Sequence, residues 1–406
     1  MIDFQIHTLK NGLRIAYKQA FNTAVTHIGY TINGGARDDA ALPGIAHCFE
    51  HMLFKGTQKR NALNIINRLE VVGGEMNAKE ITVLYASVVS EYTERALDLL
   101  TDLTFNSAFP EKELVKEKKV ITEEINMYLD TPEENIYDEF QEMVFKGHAL
   151  APNILGTIES LNQIETSDLK KFHQVYYHPK NVVLSISAPL PFEQIIYWAE
   201  KYTESISFKS FKLTERQLFK NYRAKHKTKE TEHVQCHAIM GNTCFKHSSK
   251  ERFPMMLLNN LLGGPGMNSR LTLAIREKHG YTYNVESGYS AFSDTGLFHC
   301  YLSTDKKYLD KSVALVYKEL QKLKDKKLST LQLHQAKTQL KGQIVLAEES
   351  RMNLMLLMGK SLAQGQELET LPEVLHKLDL ITSDEIQNIA NKIFNFDKMS
   401  YLAYVS

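Results

Sequence analysis

The sequence is poor in the features that define several large protein classes. It has four cysteines in 406 residues (Cys48, Cys236, Cys244 and Cys300), and none forms a Cys-x-x-Cys pair. That argues against a disulfide framework or a cysteine-built metal site. It fits a reducing, cytoplasmic compartment in which thiols act as small buried apolar groups. No apolar run is long: the richest, PMMLLNNLLGG and NLMLLMG, fall well short of the roughly 20 residues needed to cross a bilayer. The first residues, MIDFQIHTLKNGLRI, lack a basic stretch followed by an apolar core and are not expected to act as a secretion signal. Neither sign of charge is in excess, with 48 Lys plus Arg against 48 Asp plus Glu. The balance gives no support for a nucleic-acid partner or an anionic membrane surface. The glycine-rich LLGGPGMNSR lacks the Gly-Lys-Ser/Thr ending of a phosphate loop; it reads instead as a close backbone approach or a substrate-guiding feature.

What is present is ordinary globular composition, 43% apolar and 24% charged, at a length that accommodates two or more domains with full cores. The chain also echoes itself. Shifting LNQIETSDLKKFHQVYYHPKNVVLSIS (161–187) by 217 residues places Leu161 on Leu378, Ile164 on Ile381, Leu169 on Ile386 and Phe172 on Ile389. Both segments read as an amphipathic helix followed by a strand. YASVVSEYTERALDLLTDL and CYLSTDKKYLDKSVALVYKEL repeat a strand-then-helix pattern at nearly the same offset. A period of half the chain predicts two copies of one domain. The expected division is 1–207, a basic linker and lead-in at 208–232, and 233–406. Strands and helices mix without regular βαβ alternation, so the expected class is α+β, each domain a mostly antiparallel sheet packed with helices.

The segment GIAHCFEHMLFKGT (44–57) carries candidate chemistry. Pro43 suits the start of a helix and Gly56 its end. Wound at 100° per residue, Ile45, Cys48, Phe49, Met52 and Leu53 share one side, and His47, Glu50 and His51 the other. Histidines at i and i+4 can present ring nitrogens to one ion at about 2.0–2.1 Å, the spacing of zinc. Glu50 is displaced from both rings, so it need not bind the metal and could instead take a proton from metal-bound water. The order is His-x-x-Glu-His, a reversal of the commoner motif.

A catalytic zinc site needs a third protein ligand and one open position. PEKELVKEKKVITEEINMYLD (110–130) reads as a helix that stops before TPEE, where Thr131 and Glu134 have capping-box spacing and Pro132 begins the next helix. Leu114, Glu117, Ile121, Glu124, Ile125 and Tyr128 form one stripe, and carboxylates in a buried stripe need a partner. Glu124, or failing that Glu117, is the candidate third ligand. Glu117, two turns earlier, also suits a supporting role beside a ligand.

These segments, with VVGGEMNA, EKKVITEEINMYLDTPEE and LAIREKHGYTYNVESG, resemble the inverted zincins, the family of pitrilysin, insulin-degrading enzyme and the mitochondrial processing peptidases. In length the chain is similar to the half-length bacterial members. The resemblance implies a zinc-dependent endopeptidase holding one zinc ion per chain through His47, His51 and Glu124. Glu50 would be the general base and Glu117 the supporting carboxylate. It further implies that Asn77 and Ala78 bind substrate beside an edge strand, 81–89. Arg276 and Tyr283 from the second domain would grip the substrate backbone and reacting carbonyl. The active site would form in a chamber between two double-domain units, so a homodimer or a heterodimer with a related chain is expected. Lys79 and Glu80 depart from the family's usual continuation and bear on specificity. The alternatives are a non-catalytic subunit of the same fold, or a partner chain lending Arg276 and Tyr283 to another subunit.

Overall fold

A computed structural model describes residues 4–39, 42–79, 82–204, 206, 208 and 216–406. Two compact units emerge, each with its own sheet and core.

In the first unit the strands β1 (Gln5–Thr8), β2 (Arg14–Gln19), β3 (Val25–Ile32), β4 (Glu75–Lys79), β5 (Val83–Val89) and β6 (Val182–Ala188) form one sheet in the order β1-β2-β6-β3-β5-β4. β2 and β6 run parallel, with Ile15 opposite Leu184, and all other pairs are antiparallel. β6 is buried along its whole length, as its run of Val, Leu and Ile suggests. Among the described residues β4 is an edge, paired only to β5, with Asn77 opposite Tyr85.

In the second unit β7 (His226–Glu230), β8 (Cys236–Cys244), β9 (Thr282–Ala291), β10 (Gly296–Thr304) and β11 (Ser400–Val405) follow the order β7-β11-β8-β10-β9. Here β7 and β11 run parallel and the other pairs are antiparallel. The succession β2-β6-β3-β5-β4 in one sheet therefore matches β7-β11-β8-β10-β9 in the other, strand for strand and direction for direction. The helices preceding β6 and β11, Thr166–Tyr176 and Ser383–Ile393, stand 217 residues apart. Leu161, Ile164, Leu169 and Phe172 are buried, and so are Leu378, Ile381, Ile386 and Ile389. The fold is α+β, with two similar domains.

Three expectations need correction. The stretch 208–232 is not all linker: β7 lies within it, paired in parallel to β11. Its residues, His-Lys-Thr-Lys-Glu, are polar and mostly exposed, so no apolar alternation announces the strand; backbone pairing alone makes it. The helix Pro132–Val144 has Pro132 in its first turn, but Thr131 makes no side-chain cap. The Thr131 hydroxyl donates instead to the Met127 carbonyl at 3.0 Å, finishing the preceding helix. Finally, the units are not two consecutive stretches. The first gathers 1–125, 152–215 and 346–370, and the second 126–151, 216–345 and 371–406.

The exchanged segments each cover a sheet. Helix Arg351–Ala363, from the C-terminal half, lies on β3 and β6 of the first sheet. Its Met355, Met358 and Leu362 pack with Ala16, Val83, Tyr85 and Val183. Gly359 allows the close approach, since a Cβ there would stand 2.2 Å from Thr31 Oγ1. Helix Pro132–Val144, from the N-terminal half, lies on β8 and β11 of the second sheet. Ile136, Phe140 and Val144 pack there against Ile239, Leu297, Tyr301 and Leu402.

Candidate metal centre

The motif helix runs from Ile45 to Leu53 and buries Ile45, Ala46, Cys48, Phe49, Met52 and Leu53, the side its apolar spacing predicts. Phe49 is fully buried, its ring centroid 4.5 Å from that of Tyr177 and 4.9 Å from that of Phe109. Burial pushes the Cys48 thiol up to about 12, which leaves it an inert apolar group. The helix starts at Gly44, whose φ of 88° is left-handed, and a Cβ there would stand 2.5 Å from the Leu155 carbonyl oxygen. Asp39 closes this end: Gly44 N–H donates to Oδ2 at 2.7 Å and Ala46 N–H to Oδ1 at 3.1 Å. The first orphan N–H groups of the helix are thus satisfied by a carboxylate that also complements the helix dipole.

The second helix, Glu111–Leu129, buries Leu114, Glu117, Ile121 and Ile125. One stripe thereby carries Glu117 and Glu124 onto the polar side of the motif helix. His47 Nε2 lies 3.5 Å from Glu124 Oε1, and His51 Nε2 lies 3.3 Å from Glu124 Oε2. The three ligand atoms lie within 4.8 Å of one another. Glu117 approaches His51 from the other side of the ring, Oε2 at 3.1 Å from Nδ1. Its other oxygen, Oε1, pairs with Lys55 Nζ at 2.7 Å. Glu50, with His51 and Glu117, lines a cavity of about 580 Å³ bounded further by Phe54, Leu69 and Met76.

This donor set fits a zinc ion. Two imidazole Nε2 atoms and one carboxylate converge, the ligand types and number of a catalytic site. With Nδ1–H donated to Glu117, the His51 Nε2 lone pair faces Glu124. Desolvation, and then the neighbouring His51, hold His47 below the ordinary histidine value against the pull of Glu124. A neutral ring is the form that ligates metal. The His47 Nδ1 atom is buried without a hydrogen-bond partner. Such a ring is costly to bury unless its other nitrogen gains a strong interaction.

The remaining predicted residues fall as follows. Asn77 and Ala78 belong to edge strand β4, and their side chains lie outside the described residues. Lys79 ends that strand, its side chain likewise outside them, and Glu80 is outside them altogether. The strand expected at the sheet edge over 81–89 is described from Val83 to Val89 and is not an edge: it is hydrogen-bonded to β3 on one side and to β4 on the other, and β4 takes the edge. Arg276 sits in a π-helical turn, Thr272–Glu277, of the second unit. Its guanidinium carbon lies 4.9 Å from the centroid of the Tyr283 ring, a cation–π contact. Tyr283 is 80% exposed, and both residues line a cavity of about 440 Å³ with Asn259, Asn260 and the Gly263–Met267 loop. Sequence reasoning missed Asp39 and Lys55. The signal for Asp39 was an acidic residue shortly before a helix start; Lys55 offered only its place four residues after His51.

The chain is similar to known proteins along its length. The sequence model of the insulinase family, peptidase family M16, matches residues 14–158, and that of the peptidase M16 inactive domain matches 163–340. The uncharacterised zinc protease YmxG of Bacillus subtilis is 33% identical over 397 residues, 96% of each chain. An uncharacterised zinc protease of Rickettsia felis is 33% identical over 402 residues, 97% of this chain and 95% of its own. In fold, the chain is similar to a peptidase M16 inactive domain from Pseudomonas fluorescens, at TM-score 0.92 and 22% identity over 100% and 98% of the two chains. A protease from Helicobacter pylori gives TM-score 0.92 at 21% identity over 100% of each. A third of all positions shared along nearly the whole length, over the same two matched domains, makes this chain a member of peptidase family M16.

Proposed function

We propose that the protein is a zinc-dependent endopeptidase acting on peptides or unfolded precursor segments. The observation that carries this reading is the convergence of His47, His51 and Glu124 beside a cavity that Glu50 also lines. His47, His51 and Glu124 would hold the ion. When bound, zinc supplies Lewis acidity, which polarises a carbonyl and makes a water easier to deprotonate. Glu50 takes one proton from the attacking water as its oxygen bonds to the scissile carbon, then delivers that proton to the leaving amine as the C–N bond breaks. Glu117 orients His51 through Nδ1. Arg276 and Tyr283 supply hydrogen-bond donors for the carbonyl oxygen or the peptide backbone.

The open edge of β4 suits an extended peptide added as a further strand, with Asn77 and Ala78 beside it. Main-chain pairing of that kind admits many side-chain sequences. The active assembly in this reading is a dimer, of two copies of this chain or of this chain with a related one. The family model of the inactive domain matches 163–340, outside the His and Glu set, while the solved structure described as an inactive domain is similar in fold along the whole chain.

Zinc content, molar mass in solution and hydrolysis of an unfolded polypeptide, measured on one purified preparation, test the reading. One equivalent of zinc, the mass of a dimer and chelator-sensitive cleavage are expected. A folded protein that takes up zinc and cleaves nothing would be a structural subunit. One that takes up no zinc would leave Arg276 and Tyr283 as its only contribution.

A further inference from the structure

Lys55 touches the candidate centre from a position the chemistry above does not use. It follows the motif helix by two residues, and its Nζ reaches Glu117 Oε1 at 2.7 Å. Glu117 is only 6% exposed, and its Oε2 accepts from His51 Nδ1 at 3.1 Å. His51 Nε2 in turn faces Glu124 at 3.3 Å. Four side chains thus stand in series, Lys55, Glu117, His51 and Glu124. We propose that Lys55 is a positioning residue for the ligand His51, resting on the zinc reading given above. Its ammonium fixes the Glu117 carboxylate in the one orientation that accepts the Nδ1–H and keeps the Nε2 lone pair toward the ion.

The physical argument concerns freedom of movement. Glu117 borders the cavity of about 580 Å³ that Lys55 and Glu50 also line. A glutamate held at a single oxygen can swing about its last torsion into that space, because terminal sp³–sp² torsions are broad. A cation on the second oxygen removes the swing. The Lys55 side chain is 29% exposed and that of Glu117 8%, so the pair is partly desolvated and held more firmly than a surface ion pair. Carboxylates behind a ligating histidine set its ring orientation, and Lys55 sets the carboxylate.

The test is zinc affinity of the full-length protein, by competition with a chromophoric chelator, alongside KM and kcat. Lys55→Met is expected to weaken zinc binding about 10- to 100-fold, and Lys55→Arg to restore most of it. In the zinc-loaded protein the His51 Nδ1–H proton, followed by NMR, should exchange faster with solvent in Lys55→Met. Because Lys55 acts only through Glu117, Lys55→Met added to Glu117→Gln should change affinity less than about threefold, the non-additivity of residues in one network. Unchanged zinc affinity in Lys55→Met overturns the proposal, as does a rise in KM alone, which would assign Lys55 to the substrate. If Lys55→Met does not fold, a loss of affinity in Lys55→Arg as large as in Glu117→Gln overturns it. A wild-type protein that takes up no zinc overturns this proposal and the reading beneath it together.

Discussion

At His51 one ring is shared between two carboxylates, Glu117 on Nδ1 and Glu124 on Nε2, while the next residue back, Glu50, opens to the cavity. The division follows from helix geometry: three polar residues within five positions fall on one side and the apolar ones on the other. That much was legible in the sequence because it is local and periodic. The choice between Glu124 and Glu117 was legible only as a pair, since both share a stripe; the distances separate the one facing both Nε2 atoms from the one behind. Lys55 was not legible, because its partner stands on another helix and a lone lysine ordinarily reads as solvated. At this scale we expect Glu50→Gln to retain about one equivalent of zinc while kcat drops at least about 10²- to 10⁴-fold, the usual worth of a general base. Metal analysis and turnover on the same preparation check it. Turnover within a few-fold of wild type would remove Glu50 from its role.

The motif helix is anchored at its start by a group outside it. Asp39 is 6% exposed and accepts from Gly44 and Ala46; burial, ahead of the opposing backbone hydrogen bonds, lifts its pKa from 3.8 to about 7. A carboxyl whose folded value is raised binds its proton more tightly in the folded state. Its contribution to stability is therefore full below about pH 4 and is lost as pH rises to about 7. We expect the Tm of wild type relative to Asp39→Asn to fall across that window, measured by thermal melts from pH 4 to 8. A difference that does not vary with pH would show that Asp39 does not titrate there. The motif helix and the helix after Pro110 were legible from periodicity, their ends to within a residue or two. The strand β7 and the uncapped Thr131 were not, because the first is built by backbone pairing to a distant strand and the second by competition between two adjoining helices for one hydroxyl.

The doubled architecture was readable from the 217-residue echo, yet the exchange of helices between the halves was not. Which sheet a helix covers is a long-range choice that its amphipathic pattern leaves open. Residues 1–207 alone would lack Met355, Met358 and Leu362, which are at most 7% exposed. Their burial is worth roughly 5–9 kcal/mol, comparable with the whole stability of a domain. The same fragment would carry Ile136, Phe140 and Val144 with no second sheet to cover. We expect it to lack near-ultraviolet circular dichroism and to bind a hydrophobic dye, and co-expression with 208–406 to restore the first and abolish the second. A cooperatively folded 1–207 fragment would contradict this. The same exchange sets a timetable on the ribosome. β6 ends at Ala188, and the segment that shields it finishes at Thr370, which at ordinary translation speeds emerges roughly 10 to 40 s later. For that interval a nearly complete sheet waits with one apolar side open to water, a stage at which the nascent chain is most exposed to aggregation and most in need of a chaperone.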